Sequence, residues 1–256
     1  MNSVIITGAT SGIGFECAMH TARIAPNEQI IIACRNLESG RNVVQSIERK
    51  TGHKNLLCLL LDLDSLESIR NFKEQFSKNE NPCIIALINN VGIQNIGKTQ
   101  FTKEGYESTF GVNHLASFYL TLLLLPFMDN NASITFTASG VHDKTNIRVN
   151  AFDPGLVPGT GLARTYSPLL RFVWKNVFPL LKYFVRNVNS PQDSGKRLAN
   201  LAYSEKYREN KGKYFEGTKE IKSSTDSYNR DFQQMLWTTS VQFLGIKQQE
   251  TSVTLA

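Results

Sequence analysis

The start of the chain constrains its fold more than any other stretch. The β-branched run Val4–Ile6 ends in the turn Thr7–Gly14, with the sequence TGATSGIG, and a helical pattern follows from Phe15 to Ile24. Glycines 8, 12 and 14 permit a sharp turn, a close approach of the backbone to a ligand, and tight packing of the helix on its strand. Because a helix N-terminus attracts anions, this order of elements predicts a site for the pyrophosphate of a dinucleotide. A tight turn without a ligand is the alternative.

Strands and helices alternate after this unit. Continuous apolar runs, typical of parallel strands covered on both faces, predict strands over Gln29–Cys34, Leu56–Leu61, Ile84–Ile88 and Ala132–Thr137. Helical patterns are found over Gly40–Lys50, from Ser65 to about Phe76, over Thr102–Asn113 and on into His114–Asp129, and later over Pro191–Ala202 and Ser227–Leu244. The alternation predicts an α/β fold, a Rossmann-type doubly wound parallel sheet in a single domain spanning residues 1–256.

The alternation breaks after the fifth strand. A sixth strand is predicted over Ile147–Phe152, and only Gly140–Asn146 separates it from the fifth. A crossover between parallel strands needs a dozen or more residues and usually contains a helix. The crossover helix between strands five and six is therefore absent from this chain.

Composition describes an ordinary soluble protein. The chain is 41% hydrophobic and 20% charged, and its net charge is +6. The sequence has no block of Lys and Arg residues that would indicate binding to nucleic acid. Cysteines 17, 34, 58 and 83 stand singly without metal-ligand spacing, which predicts buried reduced thiols and no metal site. The first strand begins almost at Met1 and no apolar run reaches the ~18–20 residues that a membrane span needs, so we expect a cytoplasmic protein, at most peripheral on a membrane.

The spacing Gly-x3-Gly-x-Gly after a threonine resembles the short-chain dehydrogenase/reductase family. The resemblance implies contacts to the cofactor pyrophosphate from the turn, and adenine contacts from Asp62 and Leu63, although an aspartate that merely ends a strand is equally consistent with the sequence. The Asn-Asn-Val-Gly turn at 89–92 is similar to the family's Asn-Asn-Ala-Gly turn beside the ribose. The implied cofactor-binding residues are Thr7, Gly8, Ser11, Gly12, Ile13, Gly14, Asp62, Leu63, Asn89, Asn90, Val91, Gly92, and, around the nicotinamide carboxamide, Pro154, Gly155 and Thr160.

The nature of the cofactor follows from charge. A site for NAD places an acidic residue roughly 20 positions beyond the glycines. This chain has Cys34-Arg35-Asn36 there and no carboxylate. A carboxylate would repel the 2′-phosphate of NADPH, whereas a guanidinium binds it with two hydrogen bonds. We therefore expect NADPH/NADP, with Arg35 and Asn36 at the 2′-phosphate; a surface arginine that ends a strand is the alternative.

The catalytic residues are only partly present. The resemblance implies that Asn113 holds a water of the proton relay and that Ser139 binds the substrate carbonyl oxygen. The family's proton donor is a tyrosine followed four residues later by a lysine, some dozen residues after the serine, and no such pair stands at that distance after Ser139. His142 could donate a proton in principle, but a loop histidine without a positioning partner is usually only solvated. The missing pair belongs on the missing crossover helix, which leaves an omitted segment, a natural short form or an inactive protein as explanations.

Four stretches of the chain point to a branch of the family. Cys34–Asn36, Ser139–Asp143 and Ser194–Ala199 resemble the retinol dehydrogenase and light-dependent protochlorophyllide reductase branch, which implies NADPH and a bulky apolar substrate. The stretch Tyr166–Val188, within a lid or substrate-binding segment at about 156–190, is apolar nearly all round. It is consistent with a lid over the substrate, with a helix resting on anionic lipid, or with a buried helix pair broken at Pro179. We predict an NADPH-dependent oxidoreductase, with a catalytically inactive nucleotide-binding protein as the alternative.

Overall fold

One eight-stranded sheet organises the residues that this computed structural model describes, which are 1–95, 98–137, 147–185 and 187–255. The strands are β1 (Asn2–Thr7), β2 (Gln29–Cys34), β3 (Leu56–Leu60), β4 (Cys83–Asn89), β5 (Met128–Thr137), β6 (Arg148–Asp153), β7 (Lys213–Glu216) and β8 (Lys219–Ile221). Their order is β3-β2-β1-β4-β5-β6-β7-β8, and all neighbours are parallel except β7 and β8. The predicted doubly wound parallel sheet is confirmed, and the antiparallel edge strand β8 is an addition to it.

Helices cover both faces of the sheet. They are α1 (Gly12–Ile24), α2 (Leu37–Thr51), α3 (Leu66–Ser77), α4 (Ser108–Phe110), α5 (Ser117–Leu124), α6 (Pro168–Asn176), α7 (Pro191–Tyr203) and α8 (Arg230–Leu244). A π-helical turn, Gly111–Ala116, joins α4 to α5. A 3₁₀ helix, Phe178–Tyr183, follows α6.

The side-chain alternation of the strands creates two cores. Val4 and Ile6 of β1 point to the face covered by α1, α2 and α7, whereas Ile5 points to the face covered by α3 and α5. Successive residues of a strand face opposite sides, and both sides of a parallel sheet are buried, so β1 reads as a continuous apolar run. The carboxyl ends of the parallel strands consequently meet at one edge, where ligands of doubly wound folds bind.

Strands β5 and β6 are parallel neighbours with paired residues from Ser133 and Arg148 to Thr137 and Phe152. Only ten residues separate the last residue of β5 from the first of β6. This is fewer than the dozen or more that a crossover between parallel strands ordinarily requires. The adjacency of the two strands agrees with the sequence-based argument that the usual crossover helix has no room here.

One helical stretch corrects the prediction that no segment is long enough to span a membrane. Ser108–Phe127 is 20 residues long with a mean hydropathy of 1.4. It meets the length and composition of a span because its apolar residues are interrupted by few charges. However, 72% of it is buried inside the protein, and all eight residues of α5 are buried in the core beside the sheet. Core packing therefore accounts for its composition.

Candidate active site

The glycine turn between β1 and α1 can only be formed by glycine. Gly8 and Gly12 have φ angles of +67° and +57°, in the left-handed region that L-residues rarely adopt. A Cβ on Gly14 would lie 2.3 Å from the carbonyl oxygen of Gly8 and 2.5 Å from Nδ2 of Asn90. The turn is thus compressed against both its own start and the end of β4.

The N-terminus of α1 is left open. Ser11 precedes the helix in extended conformation and makes no side-chain hydrogen bond to the first turn, which contains no acidic residue. In the described part of the chain, the other helices of eight or more residues that begin from a loop are capped by a side chain, namely Asn36, Ser65, Ser167, Ser190 and Asn229. The unsatisfied N–H groups of α1 and its positive dipole end fit the pyrophosphate of a dinucleotide.

Thr7 joins the glycine turn to the end of β4. Its Oγ1 accepts hydrogen bonds from the backbone N–H of Asn90 (2.9 Å) and Val91 (3.2 Å), and it donates to the carbonyl of Ile88 at 3.4 Å. Asn90 Nδ2 in turn donates to the carbonyl oxygen of Thr7 at 3.2 Å. The two turns that the sequence analysis assigned to one cofactor are therefore held together as one surface.

The neighbouring Asn89 has a different role from the one that the resemblance implied. It is buried, and its Nδ2 donates to Oγ1 of Thr121 at 3.1 Å. The side chain thus ties β4 to α5 and does not face a cofactor. Leu63 is also buried, within the core beside α3, so its backbone alone could meet an adenine.

Asn113 lies in the π-helical turn and holds the loop that follows β4. Its Oδ1 accepts from the N–H of Ile93 and its Nδ2 donates to the carbonyl of the same residue, both at 2.8 Å. π-Helical turns inserted in α-helices are frequent at functional sites. The paired amide contacts fix Asn113 next to Ile93, directly after the turn at 89–92.

The residues predicted to contact the adenosine half of the cofactor lie at the ends of β2 and β3. Asn36 caps α2 by accepting from the N–H of Ser39 at 2.8 Å, while Arg35 is exposed and forms no ion pair among the described residues. Arg35 and Asp62 line one surface cavity of about 510 Å³. Asp62 accepts from the N–H of Asp64 at 3.2 Å, which orients its carboxylate at the end of β3.

The segment after β6 covers the glycine turn. Thr160 lies against Gly12, with its Cγ2 3.4 Å from the position that a Cβ on Gly12 would take. The Thr160 carbonyl accepts from Nε1 of Trp174 at 3.2 Å, which anchors the segment to α6. The anchoring role of Trp174 could not be predicted from the sequence, because a tryptophan in an apolar run carries no specific signal.

Gly155 also has a φ that requires glycine, +71°, and a Cβ there would lie 2.1 Å from Oδ1 of Asn187. Asn189 Nδ2 donates to the Pro154 carbonyl at 2.9 Å. Asn187 and Asn189 thus shape the turn that the sequence analysis assigned to the nicotinamide, although isolated asparagines in a loop gave no motif by which to find them. Ser139, together with Gly140 and His142, lies outside the described residues.

The solvent exposure of its side chains distinguishes the three interpretations of the apolar stretch at 166–188. Leu169, Phe172 and Phe184 are 73%, 62% and 86% exposed, whereas Trp174 is buried against the site. The interpretation of this stretch as an ordinary buried helix pair is therefore wrong. It failed because the stretch packs on the fold through one side only, leaving an apolar face with Arg171 and Lys175 exposed beside it.

The spacing of the family's tyrosine and lysine does occur once, at Tyr207 and Lys211. Tyr207 is buried among α7 and β7, with its ring edge-on to Phe215, and its carbonyl accepts from Arg148 at the start of β6. The start of a parallel strand lies at the opposite edge of the sheet from the glycine turn. This pair is therefore not the missing catalytic pair.

Comparison with known proteins identifies the family. The model of the short chain dehydrogenase family matches residues 2–144, more than half of the chain. The chain belongs to the short-chain dehydrogenase/reductase family. A second model, that of the AcuH dehydrogenase domain, matches residues 162–253. The family is one of oxidoreductases, and the predicted family and enzyme class are confirmed.

Similar curated proteins belong to the retinol dehydrogenase branch. Retinol dehydrogenase 12 of Mus musculus is 29% identical, over 95% of this chain and 86% of that protein. Polyprenol dehydrogenase of Homo sapiens is 27% identical, over 94% and 84%. Among solved structures, a putative uncharacterized protein from Mycobacterium paratuberculosis has a TM-score of 0.65 at 21% identity, covering 96% of this chain and 94% of that one. L-Sorbose reductase of Gluconobacter frateurii has a TM-score of 0.62 at 19% identity, covering 83% and 93%. These structures share the fold.

The alignments also report on the break between β5 and β6. The match to mouse retinol dehydrogenase 12 extends over 286 positions, 30 more than the 256 residues of this chain. At least that many positions of the relative therefore have no counterpart here. The family match ends at residue 144, inside the interval between β5 and β6. Both findings agree with an internal segment that relatives have and this chain lacks.

Proposed function

We propose that the chain is an NADPH-dependent reductase of a bulky apolar carbonyl or activated double bond. The observation that carries this proposal is the open N-terminus of α1 beside Gly8, Gly12 and Gly14, with Arg35 at the end of β2 in no ion pair among the described residues. When bound, NADPH would supply the hydride that reduces the substrate. In this proposal, residues 1–256 form one NADP-binding domain, with a substrate-binding segment at about 156–190.

In this proposal, each part of the cofactor contacts a different group of residues. The N–H groups at Gly12, Ile13 and Gly14 would bind the pyrophosphate, Arg35 the 2′-phosphate, and Asp62 the adenine amino group. Gly92 and Val91 would lie beside the ribose, where no described residue other than the sequence neighbours of Gly92 comes within 4 Å of a Cβ position on Gly92. Thr160 and Gly155 would enclose the carboxamide, with Ser139 on the substrate oxygen and Asn113 on the relay water.

The exposed apolar segment supports a large apolar substrate. The relatives are named for retinol and polyprenol, which are both long apolar alcohols. Trp174 connects α6 to Thr160, and Thr160 lies against Gly12. The exposed apolar segment is therefore anchored next to the glycine turn. We infer that it closes over the substrate, with retinaldehyde as the first compound to test.

The same segment supports a peripheral contact with a membrane. Apolar side chains such as Phe172 and Phe184 beside exposed Arg171 and Lys175 suit the interface of an anionic bilayer. Flotation with phosphatidylserine-containing vesicles measures this contact. The double variant Phe172→Ser and Phe184→Ser should lose flotation, and retention of wild-type binding would reject the contact.

The cofactor assignment is tested by reversing one charge. Arg35→Glu should weaken NADPH binding by on the order of a hundredfold, since a charge-assisted contact is lost and a repulsion is added. NADH has no 2′-phosphate, and its affinity should change little. Arg49→Glu, in the last turn of α2, is the control for the change in net charge. Equal losses for the two nucleotides in titrations of cofactor fluorescence would reject the assignment.

One observation favours a second candidate, an NADPH-binding protein without turnover. No Tyr-x-x-x-Lys pair stands between Ser139 and β6, and a general acid contributes roughly 10²- to 10⁴-fold to the rate. Oxidation of NADPH in the presence of retinaldehyde separates the two candidates. Measurable turnover supports the reductase, whereas tight NADPH binding with no turnover on any apolar aldehyde supports the second candidate.

A further inference from the structure

A second cation lies in the cavity at the adenosine end of the site. The cavity of about 510 Å³ runs between the edge strand β3 and α3. Arg35 and Lys103 both line it, and Lys78 lines it beyond the C-terminal end of α3. Twelve residues of helix separate Lys78 from the end that begins at Ser65, so the two ends lie roughly 18 Å apart.

The backbone of Lys103 is held at the start of α3. Its N–H donates to the carbonyl of Asp64 at 3.1 Å, and Oε1 of Glu104 accepts from the N–H of Leu66 at 2.8 Å. The N–H groups of Thr102 and Gly105 are also bonded within the same turn. Lys103 therefore projects from a fixed backbone position, and only its side chain needs to be ordered by a ligand.

The carboxylates at this end explain why one cation is insufficient. Asp62 and Glu67 line the cavity, and Asp64 lies next to them. Burial and the neighbouring Asp62 raise the pKa of the Asp64 carboxyl, while the charges of Lys103 and Arg35 act in the opposite direction. Among the described residues neither cation is bound in an ion pair within 4 Å. A lone Arg35 would be surrounded by negative charge, which would weaken its attraction for another anion.

We propose that Lys103 is a second cationic determinant of the 2′-phosphate, a role that rests on the proposed binding of NADPH. A phosphate monoester carries a charge of about −1.5 to −2 at neutral pH, more than one guanidinium can balance. Arg35 supplies the planar pair of N–H donors, and Lys103 supplies a mobile point charge that offsets the carboxylates. Selectivity for NADPH over NADH thus depends on two residues from different loops, one after β2 and one after β4.

The test compares two lysines of the same cavity. Lys103→Gln should raise the dissociation constant for NADPH on the order of tenfold, which is the lower range for loss of one charged contact, and should leave that for NADH within about twofold. Lys78→Gln removes an identical charge at the far end and should change neither constant. Lys103→Arg should retain most of the NADPH affinity. Thermal melts of all variants show whether each is folded.

The outcomes separate this inference from the proposed function. If Arg35→Glu selectively weakens NADPH binding and Lys103→Gln does not, the role of Lys103 is rejected while NADPH binding stands. Equal effects of Lys103→Gln and Lys78→Gln would also reject this role. The overall electrostatic potential of the cavity would then be responsible, and not the position of Lys103. If the wild-type chain does not prefer NADPH to NADH, both proposals fail.

Discussion

A single hydroxyl group joins the ends of β1 and β4. Oγ1 of Thr7 accepts from the N–H groups of Asn90 and Val91, so Thr7→Val would leave two backbone donors without a partner. Each buried unsatisfied donor costs about 1–3 kcal/mol. We expect Thr7→Val to lower the free energy of unfolding in urea by roughly that amount and Thr7→Ser, which keeps the hydroxyl, to lower it much less. Equal losses would contradict the dominant role of the hydroxyl, because they would mean that the methyl group of Thr7 contributes as much as its hydrogen bonds.

A second prediction at the scale of single residues concerns the glycine turn between β1 and α1. Gly14→Ala places a Cβ 2.3 Å from a backbone oxygen, whereas a Cβ at Gly161 meets only Oγ of Ser11, at 4.0 Å. Overpacking of this kind costs about 1–3 kcal/mol. We expect Gly14→Ala to lower both the melting temperature and NADPH affinity, and Gly161→Ala to leave the melting temperature within error. A Gly14→Ala protein as stable as the wild type would contradict the compressed turn.

The sequence allowed the turn residues to be predicted better than their partners. Gly8, Gly12 and Gly14 were predictable because only glycine suits such a turn, and their Gly-x3-Gly-x-Gly spacing stands between a strand pattern and a helix pattern. The burial of Asn89 was not, since its partner Thr121 is 32 positions away and two adjacent asparagines look alike in sequence. The structural role of Tyr207 could be recognised only from the sheet edge on which it lies.

At the scale of elements, α8 supports the π-helical turn that carries Asn113. His114 Nε2 lies 2.9 Å from Oγ of Ser240, and its ring stacks between Phe110 and Phe118. Trp237 meets Phe118 edge-on at 5.1 Å. The helix over 227–244 was predictable from its apolar periodicity, but its docking beside the candidate catalytic asparagine was not, because a long-range contact leaves no local pattern.

This contact predicts a pH dependence of stability. Burial lowers the pKa of His114 from its ordinary 6.5, so between the two values the unfolded chain binds more protons than the folded one. The free energy of unfolding should be highest above pH 6.5 and should decline as the pH falls through that window. His114→Gln should flatten the decline in urea titrations between pH 5 and 7.5. A residual slope belongs to His20, whose pKa burial also lowers. Parallel profiles for wild type and variant would reject the role of His114.

At the scale of the whole molecule, the parallel sheet and both cores form around a chain that lacks a segment present in its relatives. The parallel sheet could be predicted because each strand is a continuous apolar run and each connection up to β5 is long enough for a helix. The proposed cofactor surface depends on β1, β2, β3 and β4 and on the turn after β6, all of which lie outside the break. The proposed binding of the cofactor and the proposed catalysis therefore depend on different parts of this chain.

An insertion tests that separation. The positions of mouse retinol dehydrogenase 12 that have no counterpart here, placed between Asn146 and Ile147, should restore a tyrosine and a lysine next to Asn113. Turnover of NADPH with retinaldehyde should rise by about 10²- to 10⁴-fold, the contribution of a positioned general acid. The dissociation constant for NADPH should change little, because Arg35 and the glycine turn are untouched. The same insertion with its tyrosine replaced by phenylalanine is the control. If the inserted chain is folded and binds NADPH but shows no gain over this control, the break is not what limits catalysis, and the site itself has lost the geometry for hydride transfer.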